Sequence, residues 1–422
     1  MNILMFTNTF TPHVGGVAQS VQQFVRQYEK LGHRTLVVAP MFESALESKD
    51  GVIRVPAVQK FNGSDFSVAV PTLGFLTNAI ADFSPDIVHS HHPFLLGDTA
   101  QRVAARYDIP VVFTHHTQYE KYTHYVPGDC GAMRQFVIDL AVGYCNMCDA
   151  VIAPSETIRQ RLVQQGVQST ILEIPTGVET EVFSNGDGLA FRNEHGIGRS
   201  DFVVGHVGRL APEKGLNFLA DAAATFIADH ESAKFLVAGS GPSSATVSEA
   251  FRSRGIADRL ITVGHLERRE LANLYKAMDI FAFASHSETQ GMVLTEAMAA
   301  STPVVAVDAP GVREVLCDSK NGFMISDDNR SQFVRALERY YTMSNEDRQH
   351  LIHGALRTAD EFSMPKMAKR TIELYAKLIG IGRSGPAHGH DLWSTARRRI
   401  EEEWNLWTNV GRAAANALLH CD

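Results

Sequence analysis

Tryptophan is scarce in this chain, three residues in 422, and all three fall within the last thirty positions: Trp393, Trp404 and Trp407. Cysteine is scarce as well. Five residues, an odd number without framework spacing, exclude a disulfide-stapled scaffold and fit a reducing compartment. No apolar run reaches the roughly 18–20 residues that span a bilayer. The start, Met1-Asn-Ile-Leu-Met-Phe6, lacks the basic region and cleavage site of a signal peptide. A cytoplasmic protein is expected, with peripheral contact at the inner membrane face left open. Positive charge is also in deficit: the net charge is −8, which argues against a nucleic-acid partner, since that needs a basic surface. Internal repeats of solenoid length, low-complexity tracts and a Gly-x-Gly-x-x-Gly dinucleotide fingerprint are all missing.

What is present is an ordinary globular composition, 45% hydrophobic and 20% charged, in a length that suits two or three domains. Apolar strand-like runs alternate with helix-length segments. Ile3–Thr7, Thr35–Ala39, Ile87–His89, Val111–Thr114 and Ala150–Ala153 form one series. Val203–Val207, Lys234–Ala238, Leu260–Val263, Ile280–Ala284 and Pro303–Ala306 form a second. Continuous Val/Ile runs separated by helices imply α/β architecture, with parallel sheets covered on both faces. The polar, Gly-rich stretch Ser184–Arg199 between the series is the expected boundary. The reading is two doubly wound Rossmann-like domains facing a cleft, residues 1–190 and 191–363. A helix over 364–380 crosses back, and a linker with an amphipathic helix occupies 381–422. Ligands in such sheets bind beyond the carboxyl ends of the strands.

The most informative segment is Ser287-Glu-Thr-Gln-Gly-Met-Val-Leu-Thr-Glu-Ala-Met298. Glu288 sits on a Gly-containing loop; Glu296 falls two helical turns on, within an apolar run. Backbone N–H groups around Gly291, Met292 and Val293 open a helix, where anions such as phosphate are favoured. Paired carboxylates accept hydrogen bonds from sugar hydroxyls. The combination suits a sugar joined to a phosphate; two solvated charges on an amphipathic helix are the plainer reading. Arg209 and Lys214 follow the first strand of the second series and suit a diphosphate, or else pair locally with Glu213. Gly15 and Gly16 follow the first strand of the chain and allow close approach of backbone to a phosphate or sugar. Gly241, His265 and Leu266 also follow strands, where they either make turns or present groups to a nucleotide base.

Together these segments resemble the retaining GT-B glycosyltransferases of family four over roughly residues 1–380. The Glu-x7-Glu motif matches Glu288 and Glu296; Gly-Arg-Leu-x-x-x-Lys-Gly matches Gly208 to Gly215; the Gly-Gly loop matches Gly15 and Gly16. The resemblance implies that Glu296 binds ribose hydroxyls, Glu288 the donor sugar beside Gly291, Met292 and Val293, and Arg209 and Lys214 the diphosphate. It implies approach of Gly16 to the donor, and no metal and no cofactor. In Phe113-Thr-His115-His116-Thr117 it matches His116 to the histidine beside the reacting sugar, with His115 as the neighbour that invites confusion. The phrases His92-Pro-Phe-Leu-Leu-Gly97 and Thr114-His-His-Thr-Gln-Tyr-Glu-Lys-Tyr122 are similar to bacterial diacylglycerol glucosyltransferases. That implies transfer of glucose from UDP-glucose to a membrane lipid. Residues 1–180 depart from the basic acceptor half expected for such enzymes, carrying more Asp and Glu than Lys and Arg. A soluble or polysaccharide acceptor, a sugar-nucleotide epimerase and a non-catalytic nucleotide-sugar-binding protein are the competing expectations.

Six histidines in the two His-rich segments raise a metal site, but no carboxylate or cysteine pattern accompanies them. Cys145-Asn-Met-Cys148 has no second pair, so helix packing is expected of it. Beyond a Gly380–Gly389 linker, Ile400, Trp404, Trp407, Gly411 and Ala414 recur at helical spacing. That helix either docks on the protein or a partner, or lies in a membrane interface.

Overall fold

The Val/Ile/Ala runs become parallel strands because each is covered on both faces. The computed structural model describes residues 1–13, 15–42, 51–58, 68–69, 73–119, 130–286, 288, 290–381 and 392–418. The chain forms two units, Met1–Pro175 with Met367–Asp422, and Thr176–Lys366.

In the first unit the order is β1 (Asn2–Phe6), α1 (Gly16–Lys30), β2 (Arg34–Pro40), β3 (Val52–Val55), β4 (Ala57–Val58), β5 (Val68–Ala69), α2 (Leu73–Phe83), β6 (Ile87–Ser90), α3 (Leu96–Tyr107), β7 (Val111–Thr114), α4 (Gly131–Met147), β8 (Ala150–Ala153), α5 (Glu156–Gln164) and β9 (Ile171–Glu173). Its main sheet runs β3-β2-β1-β6-β7-β8-β9, with every neighbouring pair parallel. Leu4, Phe6, Val88, Val111 and Phe113 join Tyr144, Cys145 and Cys148 of the α4 region in one core. The two cysteines are therefore buried packing residues, and burial pushes both thiols up.

The second unit contains α6 (Thr180–Ser184), α7 (Gly188–Glu194), β10 (Phe202–Val207), α8 (Leu216–Asp229), β11 (Ala233–Ala238), α9 (Ser244–Arg252), β12 (Leu260–Val263), α10 (Arg268–Ala277), β13 (Ile280–Phe283), α11 (Met292–Ala299), β14 (Val304–Val307), α12 (Pro310–Arg313), β15 (Gly322–Ile325), α13 (Arg330–Tyr341) and α14 (Asn345–Glu361). The sheet order β12-β11-β10-β13-β14-β15 is the Rossmann order 3-2-1-4-5-6. Alternate residues of each strand feed opposite cores. Val203 and Val207 of β10 join Phe281 and Phe283 of β13 on one face, and Phe202 and Val204 join Ile280 and Ala282 on the other. Both units are thus Rossmann-like α/β sheets.

The Gly-rich stretch expected to mark the boundary lies inside the second unit, because the units divide at Pro175–Thr176. Its glycines serve packing. A Cβ at Gly186 would run into the carbonyl of Ala272, and one at Gly188 into that of Lys276, so α7 lies against α10 at a distance no larger residue permits. The chain then enters α15 (Met364–Ile381), which belongs to the first unit from Met367 onward, and ends with α16 (Leu392–Leu418). Most of the expected Gly380–Gly389 linker lies outside the described residues. Among the described residues no helix is long and apolar enough to cross a membrane.

Candidate active site

In the second unit β10 and β13 are neighbours where the strand order reverses, so the loops beyond their carboxyl ends diverge and leave a crevice. Arg209 and Lys214 leave β10, and Glu288 leaves β13. Lys214 ends the one-turn 3-10 helix Pro212–Lys214, which Gly215 closes at φ 65°, a left-handed conformation that favours glycine. A Cβ at Gly215 would strike the carbonyl of Ala284, so the turn rests on the end of β13. That contact brings Lys214 beside Glu288, and its Nζ donates to Glu288 Oε1. Gly311 supports the arrangement from α12: a Cβ there would come within 2.9 Å of Glu288 Cβ. Arg209 instead turns to Glu213 of its own loop, the local pairing that the sequence left open.

Gly291 caps α11 at φ 47°, and the first amides of that helix have no partner within it. Met292 and Val293 lie at this end, both half-buried. Glu296, one turn further, is buried, and Tyr275 Oη of α10 donates to its Oε2 at 3.0 Å. Burial pushes the Glu296 carboxyl up, while the Arg268 guanidinium and the Tyr275 hydrogen bond pull it back. Arg268 is itself held by Glu179 at 2.6 Å. Gln290 fixes the loop ahead of α11, donating to the carbonyl of Thr176 and accepting from its N–H, each at 2.6 Å. His206, buried in β10, bonds the Ala282 carbonyl through Nδ1 at 3.1 Å. Burial depresses it to about 4, so it is neutral beside Lys214 and Glu288.

The other expected residues of this unit are less engaged. Gly241 lies against the Leu210 carbonyl, where a Cβ would collide, so loop packing explains it. His265 is exposed on the loop after β12, and Leu266 packs against the core. Ser287 and Thr289 lie outside the described residues. Tyr275, Arg268, Glu179, His206 and Gln290 were not singled out from the sequence. Each acts through a partner distant along the chain, and only the apolar spacing that puts Tyr275 on the inner face of α10 was there to be read.

In the first unit Gly15 caps α1 and Gly16 begins it. Among the described residues a Cβ at Gly16 would meet nothing within 4 Å, so their packing does not require glycine there. The loops after β6 and β7 bring five histidines together. His116 Nε2 and His91 Nδ1 are 2.9 Å apart; the His91 ring lies 4.1 Å from that of His89. His89 bonds Thr114 Oγ1 at 2.7 Å and the Tyr375 hydroxyl of α15 at 2.5 Å. His92 Nδ1 accepts from the Asn8 N–H at 3.1 Å. Burial drives His89 and His92 to about 3 and His115 to about 4, and His91 and His116 well below the ordinary range. His116 is half-buried whereas His115 is buried, so His116 is the more open to a ligand. Residues 120–125 of this segment lie outside the described ones. Among the described residues no group of three or more His, Cys, Asp or Glu is placed to hold a metal ion.

Residues 14–182 match the model of "Glycosyltransferase Family 4", and residues 189–357 that of "Glycosyl transferases group 1". The chain is 31% identical over 328 residues to the alpha-monoglucosyldiacylglycerol synthase of Streptococcus pneumoniae, covering 76% of this chain and 74% of that one. The chain belongs to glycosyltransferase family 4. The Acholeplasma laidlawii alpha-monoglucosyldiacylglycerol synthase is 26% identical over 398 residues, 89% of this chain and 95% of that one. Among solved structures, Anabaena HepE in complex with UDP and glucose superposes with a TM-score of 0.69 at 21% identity, covering 89% of this chain and 99% of that one. For a glycosyltransferase the crevice beyond β10 and β13 has the needed chemistry. A cation and a carboxylate are held side by side, a helix N-terminus is at hand, and a second carboxylate is fixed from behind by a tyrosine.

Proposed function

We propose that this glycosyltransferase moves glucose from UDP-glucose to a membrane lipid of the diacylglycerol type, with retention at the anomeric carbon and without a metal. The observation that carries the reading is the Lys214–Glu288 pair at the switch point, with Glu296 held by Tyr275 behind it. In this reading Glu296 accepts from the ribose hydroxyls. Glu288 accepts from the sugar, with the amides of Gly291, Met292 and Val293 beside it. Arg209 and Lys214 neutralise the diphosphate, each exchanging a carboxylate partner for phosphate oxygen. Two fixed cations and a helix N-terminus supply the charge stabilisation that a divalent ion supplies elsewhere. The first unit serves the acceptor, with His116 beside the reacting sugar and Gly16 approaching the donor. The names of the two synthases support glucose and diacylglycerol. A soluble or polysaccharide acceptor is the second reading, favoured by the acidic balance of residues 1–180.

The test is transfer of radiolabel from UDP-glucose, with GDP-mannose as the competing donor, to diacylglycerol and to a panel of soluble sugars in the presence of EDTA. Labelled glycolipid of α configuration is expected. Label appearing only in soluble sugars would replace the acceptor, and label from GDP-mannose alone would replace the donor.

A further inference from the structure

The C-terminal helix α16 is docked with its apolar stripe turned outward. Its inner face touches α3 and α4 largely through polar groups, with Leu406 and Ala413 as the buried apolar residues. Asn409 Nδ2 donates to the Leu140 carbonyl at 3.1 Å, and its side chain fills the space that a Cβ on Gly143 would need. Asn416 Nδ2 donates to Asp139 at 3.0 Å, Arg398 pairs with Asp108 at 3.1 Å, and Arg102 grips Glu403 through two bonds of 2.6 and 3.1 Å. The opposite face carries Ile400, Trp404 and Trp407 at 69%, 73% and 72% exposure, with Val410 beside them. A helix serving only to cover α3 and α4 would bury its tryptophans and expose its asparagines. A contiguous outward apolar stripe marks an interaction surface.

Beside the stripe opens a cavity of about 730 Å³, with Leu76, Ile80 and Val103 on one wall and Trp404 and Trp407 on the other. Arg106 and Arg399 also line it, and among the described residues neither forms an ion pair with a carboxylate. Two of the neighbouring acids are compensated, Glu401 by Arg397 at 2.8 Å and Glu403 by Arg102, while Glu402 lines the cavity itself. Two indoles with an apolar body and a polar N–H, an apolar slot and flanking arginines match the layer where acyl chains meet phosphate headgroups. Neither family model extends into α16.

We infer that the outer face of α16 lies in the interface of an anionic lipid bilayer, with an acyl chain entering the cavity beside Trp404. This surface deepens the lipid-acceptor reading and is tested apart from it. The probe is the full chain with vesicles of phosphatidylcholine and phosphatidylglycerol, with and without brominated acyl chains. All tryptophans of the chain lie between positions 393 and 407, so intrinsic fluorescence reports on this segment alone. Emission is expected to shift to shorter wavelength on vesicle addition and to be quenched by bromine. A Trp404→Ser/Trp407→Ser double variant is expected to partition on the order of 100-fold less, from the lost burial of two large side chains. Both positions are exposed, so unchanged UDP affinity serves as the check that the variant is folded. Wild-type emission indifferent to vesicles, or a double variant that sediments like the wild type, overturns the inference. So does a self-association of the chain that buries the stripe and is abolished in the double variant. Vesicle binding without any transfer to diacylglycerol would sink the acceptor reading and leave this surface standing.

Discussion

Tyr275→Phe removes one hydroxyl from the wall of the site and nothing else. The ring stays packed against Phe183 and Phe281, and only the 3.0 Å bond to Glu296 Oε2 is lost. Glu296 is buried, so no water takes the place of that donor at low cost, and an unsatisfied buried carboxylate forfeits about 1–3 kcal/mol. If Glu296 presents its other oxygen to ribose, the same loss of orientation weakens UDP by about tenfold to a hundredfold. The pH dependence has a definite sign. Burial raises the Glu296 carboxyl above its ordinary value of 4.5, so the folded chain holds this proton more tightly than the unfolded chain. Stability therefore falls as pH rises from about 4.5 through the folded value. Tyr275 is one of the groups that restrain this rise, and removing it carries the decline to higher pH. The assay is a double-mutant cycle with Glu296→Gln, read by UDP calorimetry and by thermal unfolding at pH 5 and pH 8. The coupling is expected at about 0.5–3 kcal/mol and larger at pH 8. Equal cost of Tyr275→Phe in the wild-type and Glu296→Gln backgrounds would refute the argument, because the hydroxyl would then act on something other than this carboxylate.

Lys214→Ala is expected to lower turnover by about two orders of magnitude or more, the cost of one preorganised charge stabiliser; near-normal single-turnover rates would remove Lys214 from the diphosphate. Gly16→Val meets open space among the described residues, so thermal stability should hold while donor turnover collapses, and unchanged kinetics would show that no ligand comes close to this turn. Asp98 is raised by burial to about 6 from 3.8, with Arg102 opposing the rise, so its folded form favours the proton and stability falls as pH climbs from 4 to 6. Asp98→Asn should flatten that decline, worth up to about 3 kcal/mol at neutral pH, and an unchanged slope in urea melts would contradict it.

The strands that could be read from sequence are those buried on both faces, where hydrophobicity is continuous. The ones that escaped are edges or near-edges: β3 and β9 are largely half-buried, and the Gly-Phe-Met-Ile of β15 is short and opens on glycine. The loops carrying Arg209, Lys214, Glu288 and Gly291 were legible because a doubly wound sheet fixes where ligands bind before any side chain is considered. What escaped was the partnership. Sequence could not tell whether Lys214 would face Glu213 or Glu288, because the choice is made by Gly215 resting on the carbonyl of Ala284, far along the chain. Likewise nothing local marks Tyr275 as the partner of Glu296, since a tyrosine on the inner face of α10 reads as core until α11 is set against it.

The helix α16 shows the same division between pattern and placement. Its apolar stripe was evident from spacing, but the rule that apolar faces turn inward points the wrong way here. Asn409, Asn416, Arg398 and Glu403 each find a specific polar partner on the body of the first unit, and such partners are geometrically selective where apolar contact is not. Turning the helix over would leave Asp139, Asp108 and Arg102 without those partners and would press two indoles against the Leu140 carbonyl and the narrow gap at Gly143. Gly143 is the decisive detail: a Cβ there would collide with Asn409, so α4 is shaped for an asparagine at this crossing and has no recess for tryptophan. The orientation is thus written in α4 and α3, and the outward tryptophans follow from the surface that receives the helix.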